Sequence, residues 1–167
     1  FTGNGSSVAN AVSFANDGTL ILGSTGGTQT YNGGLTTTSV GGTVTLNGTI
    51  ASSDDAIVLG AVTLGSATTV DTNSTTTNRA DITIAAVTGG NNALTLTTEN
   101  NVTGTDVTAS GNISGVTTLT LASVGGTATL SADVDVTTLT VGNTVANLAF
   151  TGNGSSVANA VSFANDG

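Results

Sequence analysis

The chain has no proline, cysteine, methionine, tryptophan or histidine, and Arg79 is its only basic residue. Each absence closes a class of chemistry. Without cysteine there is no disulfide framework and no thiol nucleophile. Without histidine or lysine there is no Ser–His pair and no Schiff-base lysine, and a phosphate-binding P-loop lacks its lysine. Ten acidic residues against one cation give a formal net charge of −9. That balance argues against nucleic acid, whose phosphates require Lys and Arg, and against anionic membrane surfaces. No apolar run approaches the length of a membrane-spanning helix, so no membrane insertion is expected in this segment. Aromatic residues make up 3% and charged residues 7%, far below the roughly one-quarter charged residues of an ordinary domain.

What is present is a strand-forming alphabet. Val, Ile, Leu and Ala supply the apolar residues, and Thr is about a fifth of the chain; β-branched residues suit a pleated, half-buried surface. Mean hydropathy is +0.29, and low charge with positive hydropathy opposes disorder. Short alternating triplets recur: Val12-Ser13-Phe14, Leu20-Ile21-Leu22, Val44-Thr45-Leu46, Ile57-Val58-Leu59, Val62-Thr63-Leu64, Ile82-Thr83-Ile84, Leu94-Thr95-Leu96, Leu119-Thr120-Leu121, Leu139-Thr140-Val141 and Leu148-Ala149-Phe150. Alternation with period two puts the flanking apolar side chains on one face, so each triplet predicts a short strand. Clusters such as "GSTGG", "SSDD", "TGGNN" and "ENN" separate them and supply corners. The Asn-Gly steps at Asn4, Asn32 and Asn47 leave a hairpin meander open as a competitor.

Repetition decides between the two. Residues 1–18, "FTGNGSSVANAVSFANDG", return letter for letter at 150–167. The chain therefore reads as one full tandem unit, 1–149, followed at 150–167 by the start of the next identical unit. An inner echo places "SVGGTVTL" at 39–46 and "SVGGTATL" at 123–130, a shift of about four steps of 21. Leu64 and Ile84, and Leu121 and Val141, are 20 apart. These spacings predict an all-β fold, a parallel β-helix or β-solenoid with about 20–21 residues per coil and roughly seven coils per 149-residue unit. The missing proline agrees, because a strand bonded on both sides needs every N–H.

The stretches "NALTLTTENNVTGTDVTASGNISGVTTLTLASVGGTATLSADVDVTTLTV" (92–141) and "VANAVSFANDGTLILG" (8–23) resemble the β-strand repeats of bacterial surface proteins, the autotransporter passengers and filamentous-haemagglutinin-like adhesins. The resemblance covers most of the chain. It is one of patterning, with no diagnostic fingerprint. It implies a parallel β-helix, an extracellular or cell-surface location, and adhesive or structural work. The near-perfect copying of the unit departs from the degenerate coils of such passengers and favours a regular fibre or stalk.

The remaining candidates for chemistry are few. Asp54-Asp55 and Asp133-x-Asp135 are the close acidic pairs that a glycosidase would need; they read better as a solvated corner and a solvated face. Asp17, Asp54, Asp55 and Asp71 sit in corner-like segments, but neither the Gly-Gly-x-Gly-x-Asp pattern of calcium-binding solenoids nor an EF-hand loop occurs. Thr-x-Thr units at 43–45, 95–97, 118–120, 127–129 and 138–140 would form an ice-binding type of surface if they stacked in line. No catalytic, cofactor-binding or metal-ligating residue is assigned, no cofactor is expected, and an enzyme is not. The expected molecule is a structural repeat of an extracellular filament, stalk or sheath. Its partner is itself, with surface or matrix glycans as further partners. A ligand-binding adhesin or ice-binding surface is the alternative, and a carbohydrate-active enzyme stands behind it.

Overall fold

The computed structural model describes residues 1–75, 78–98 and 102–165. The Glu99-Asn100-Asn101 corner and the last two residues of the repeated segment lie outside them. Every strand pairing among the described residues is parallel, and no helix occurs among them. Parallel pairing of consecutive short strands excludes hairpins, which join antiparallel partners. The Asn-Gly steps serve as corners instead. Gly48 has φ +65°, and a Cβ there would lie 2.3 Å from the carbonyl oxygen of Gly27 and 2.4 Å from that of Ser24. Only glycine lets the backbone turn so close to the coil below.

The pairings resolve into three stacks, so each coil has three sides. The first side comprises residues 6–8, 28–31, 48–52, 68–71, 94–97, 119–123, 139–144 and 163. The second comprises 12–13, 35–36, 57–59, 82–84, 107–109, 128–130 and 148–150. The third comprises 20–22, 44–46, 62–64, 87–88, 113–116, 134–136 and 156–157. The chain visits them in that order about seven times. Strands bend round corners without breaking, so Ile113–Leu130 contributes to all three sides. The architecture is the all-β parallel solenoid that the repeat spacings predict, and all ten triplets fall on its sides.

Burial alternates along Val44–Ser52 in a BiBiBiBiB pattern, and the longer strands interrupt the alternation where they bend. Inward residues stack on like residues one coil away: Leu94, Leu119 and Leu139 form one column, Leu96, Leu121 and Val141 the next. The interior is a continuous aliphatic column, with Leu22, Leu46, Ile57, Ile82, Leu96 and Leu121 among its fully buried members. Burying each such side chain contributes about 1.5–3 kcal/mol.

The coils are less even than a fixed step of 20 or 21. From Val12 to Leu148, on the second side, the chain completes six coils, a mean step of about 23. Individual steps run from 18 (Val44 to Val62) to 26 (Val87 to Ile113). Corners absorb the difference. In one coil the chain leaves the first side after Asp71 and reaches the second at Ile82; in the next it leaves after Thr97 and reaches it at Val107. Polar side chains fill that enlarged corner from within: Thr72 Oγ1 donates to the Ala80 carbonyl (2.8 Å), and Thr105 Oγ1 donates to that of Val102 (2.8 Å). Uneven coils also separate the inner echo. Val44 lies on the third side and its counterpart Ala128 on the second, so the echo is not shifted by a whole number of coils. Leu121 and Val141 are true neighbours, whereas Leu64 stacks on Leu46 and Ile84 on Leu59.

The second rung of the first side carries a buried polar pair. Tyr31 is fully buried, its hydroxyl donating to Gln29 Oε1 at 3.0 Å. Gln29 Nε2 donates to the carbonyls of Phe1 and Gly3. Desolvation pushes the Tyr31 pKa up from 10.0 to about 12. The phenol ionises in the unfolded chain above pH ~10 but stays neutral in the folded chain until pH ~12. Its contribution to stability is therefore complete below pH 10 and lost as pH rises towards 12, by at most about 1.4 kcal/mol per pH unit. The chain has no Lys or Cys and this one Tyr. Denaturant unfolding measured from pH 9 to 12 is expected to show this alkaline fall, and Tyr31→Phe is expected to flatten it.

Candidate functional site

The outer surface is built from ladders, because any residue pointing outward meets its equivalent one coil above. On the first side one position is Thr in six successive coils: Thr28, Thr49, Thr69, Thr95, Thr120 and Thr140. β-branched residues suit this outward, pleated position, where each meets its like one coil away. The column two residues along is mixed: Thr30, Ala51, Asp71, Thr97, Ser123 and Thr144. The Thr-x-Thr units of the sequence do not stack on one another as a set. That at 43–45 lies on the third side, that at 127–129 on the second, and the other three on the first. The double Thr ladder of an ice-binding surface is not assembled from them.

The carboxylates do something that the sequence reading missed. Asp81 and Asp106 each immediately precede a strand of the second side, and Asn112 and Asp133 each immediately precede a strand of the third. Asp81 Oδ1 accepts the Asp106 N–H at 2.8 Å, and Asp106 Oδ1 accepts the Thr127 N–H at 2.8 Å. Asn112 Oδ1 accepts the Asp133 N–H at 3.3 Å, and Asp133 Oδ1 accepts the Gly154 N–H at 2.7 Å. At a corner the backbone turns out of the ladder, and a side-chain oxygen supplies the acceptor that the next coil's N–H needs. The backbone carbonyl of the same residue remains in the ladder, as when Ile82 N donates to Asp106 O at 3.0 Å. A Cβ on Gly126 would lie 2.2 Å from Asp106 Oδ1, so glycine leaves room for the carboxylate. The sequence signal was available: Asp-Ile, Asp-Val, Asn-Ile and Asp-Val at 81–82, 106–107, 112–113 and 133–134.

The acidic pairs are not poised together. Asp133 is turned onto Gly154, while Asp135 is exposed on the third side. Asp54 holds φ +66° and accepts the Thr75 N–H at 2.5 Å; Asp71 accepts the Asn73 N–H at 2.7 Å. Ser52 Oγ donates to the Asp55 backbone carbonyl. Among the described residues no group of three or more Asp, Glu, His or Cys converges. Arg79, the one basic side chain, donates to the Gly104 carbonyl in the next coil through Nε (2.9 Å) and through Nη2. Shallow depressions mark the sides among the described residues. One, by Asn91, Val116, Asp135 and Ser156, contains a single carboxylate; another, by Gly41, Thr43, Thr63 and Thr88, contains none.

These features define a three-sided parallel β-solenoid with polar corner ladders. No protein-family model matches the chain, and no curated protein or solved structure is detectably similar to it.

Removing one rung of a corner ladder tests its role. Asp106→Ala is expected to lower the unfolding free energy by about 1–3 kcal/mol, because the part-buried Thr127 N–H loses its acceptor. Asp106→Asn keeps an Oδ1 acceptor and is expected to lose less, as read by urea denaturation of both variants.

Proposed function

We propose that this chain is a structural repeat of a long extracellular filament, stalk or sheath, in which 149-residue units continue one another end to end. The reading is non-enzymatic: the work is mechanical, and the principal partner is another copy of the same unit. One observation carries it. Residues 150–165, which repeat 1–16, lie on the preceding coil as its next rung. Ser156 and Val157 pair in parallel with Asp135 and Val136, and Phe163 bridges to Val141. The repeated segment extends the ladder where a covering segment would have ended it.

Stacking of this kind is favoured because a solenoid end exposes unpaired strand groups, which another unit covers. A net charge of −9 opposes side-by-side collapse of neighbouring rods. Commitment of the one basic side chain to Gly104, and of carboxylates to backbone N–H groups, supports a framework role for charge. The patterning shared with bacterial surface passengers supports a cell-surface setting.

Electron microscopy and fibre diffraction of arrays with increasing numbers of 149-residue units test this. Unbroken rods are expected, lengthening by about 32 Å per unit, with a meridional reflection near 4.8 Å. Strings of separate globules at any array length would contradict it.

A further inference from the structure

The two copies of the repeated segment do not occupy the same side of the solenoid. In the first copy Ser7 and Val8 lie on the first side, paired with Thr30 and Tyr31. In the second copy their counterparts Ser156 and Val157 lie on the third side, paired with Asp135 and Val136. Phe14 belongs to the second side, where its N–H donates to the Thr36 carbonyl at 3.0 Å. Its counterpart Phe163 bridges to Val141 on the first side. Both comparisons give the same displacement, back by one side.

We infer that a tandem unit spans twenty sides, six and two-thirds turns, so that each unit receives the next copy turned by one side, a third of a revolution. This rests on the end-to-end reading above and fixes its geometry. Counting turns along the chain from the first copy to Ser156 gives the same number. The column of Ser7 passes through Thr30, Ala51, Asp71, Thr97 and Ser123 to Thr144, which completes six turns. Ser156 follows Thr144 at a shorter interval than any coil step observed, the shortest being that from Val44 to Val62. The chain therefore does not return to that column by Ser156. It passes the second side at 148–150 and reaches the third.

The end of the unit is already fitted to its displaced successor. Gly154 N donates to Asp133 Oδ1 at 2.7 Å and Val134 N donates to Ser155 Oγ at 3.0 Å. The Ala158 and Asn159 N–H groups donate to the carbonyls of Val136 and Thr137, and Asn159 Nδ2 donates to Thr138 Oγ1 at 2.8 Å. The inward alternation survives the change of side. Val8 and Val157 are both half-buried against the core, and Ser7 and Ser156 both face out. Three units would complete twenty whole turns, so a long array has a true axial repeat of about 96 Å at about 4.8 Å per rung.

The chain itself tests the displacement, since it carries no cysteine to interfere. Two double variants place thiols at exposed positions: Asp135→Cys with Ser156→Cys, and Thr144→Cys with Ser156→Cys. A thiol cross-linker matched to one rung spacing, about 4.8 Å, is expected to close the first pair and leave the second open. Closure reads as a shift to the faster-migrating looped chain on a denaturing gel. The reverse result, 144 joined to 156 and 135 not, would overturn the displacement while leaving in-line end-to-end stacking intact. Closure of neither pair, with the far-UV spectrum unchanged, would unseat the repeated segment and remove the support for stacking as well.

Discussion

The structure depends on one constraint: a parallel strand must find its partner one coil away, in register, about 4.8 Å along the axis. A backbone that meets itself every turn needs an N–H at every strand position, which proline cannot supply. It needs β-branched or apolar residues that tolerate an identical environment above and below, and Val, Ile, Leu and Thr provide it. It also needs small residues where one coil crowds the next. A Cβ on Gly89 would lie 2.3 Å from the Gly115 carbonyl, and one on Gly42 would lie 2.6 Å from the Gly18 carbonyl carbon. The unusual composition follows from geometry repeated many times.

Corners are where that constraint is hardest to satisfy, and there the polar residues concentrate. A turning backbone leaves N–H groups aimed out of the ladder. Asp81, Asp106, Asn112 and Asp133 answer them with side-chain oxygens from the coil before. Within the enlarged corner, Thr72, Ser74, Thr98 and Thr105 satisfy one another and nearby carbonyls. Among the described residues no buried side-chain nitrogen or oxygen lacks a partner. An unsatisfied buried group would cost about 1–3 kcal/mol. Acidic residues placed one coil apart repel each other; a backbone donor between Asp81 and Asp106 offsets part of that.

This division explains what was legible in the sequence. The apolar triplets report which residues point inward, and each of the ten lies on a side of the coil. Sides such as 28–31 and 107–109 fall outside the triplets because Thr28-Gln29-Thr30 and Val107-Thr108-Ala109 carry weaker or more polar alternation, yet they fill equivalent positions. Residue counting found about the right number of coils but not every neighbour, for a different reason. It measures contour length, and corners of variable length decouple contour from turn number. The pair Leu121 and Val141 is joined by a coil with a short corner, so its spacing is a real coil step. Leu64 and Ile84 share the same spacing and lie on different sides. The corner carboxylates were visible as Asp or Asn before a β-branched residue, but their partners lie a whole coil away along the chain, beyond any local pattern.

Because the three sides make the same demand, apolar in and polar out, a segment is not tied to one of them. Ser7-Val8 and Ser156-Val157 meet different neighbours, Thr30-Tyr31 and Asp135-Val136, with the same face buried. Fit to a side requires only correct alternation and a corner at each end. A duplicated stretch therefore has to contain a whole number of sides; it does not have to contain a whole number of turns. That weaker requirement makes the period from Phe1 to Phe150 workable although it is no multiple of the mean coil. It also sets what such an array presents outwardly. A feature fixed in sequence, such as the Thr28–Thr140 ladder or the corner that holds Thr72 and Ser74, would face one direction in one unit and a direction turned by a third in the next. A rod built this way would have no single privileged side, which agrees better with the proposed shaft than with a flat recognition surface.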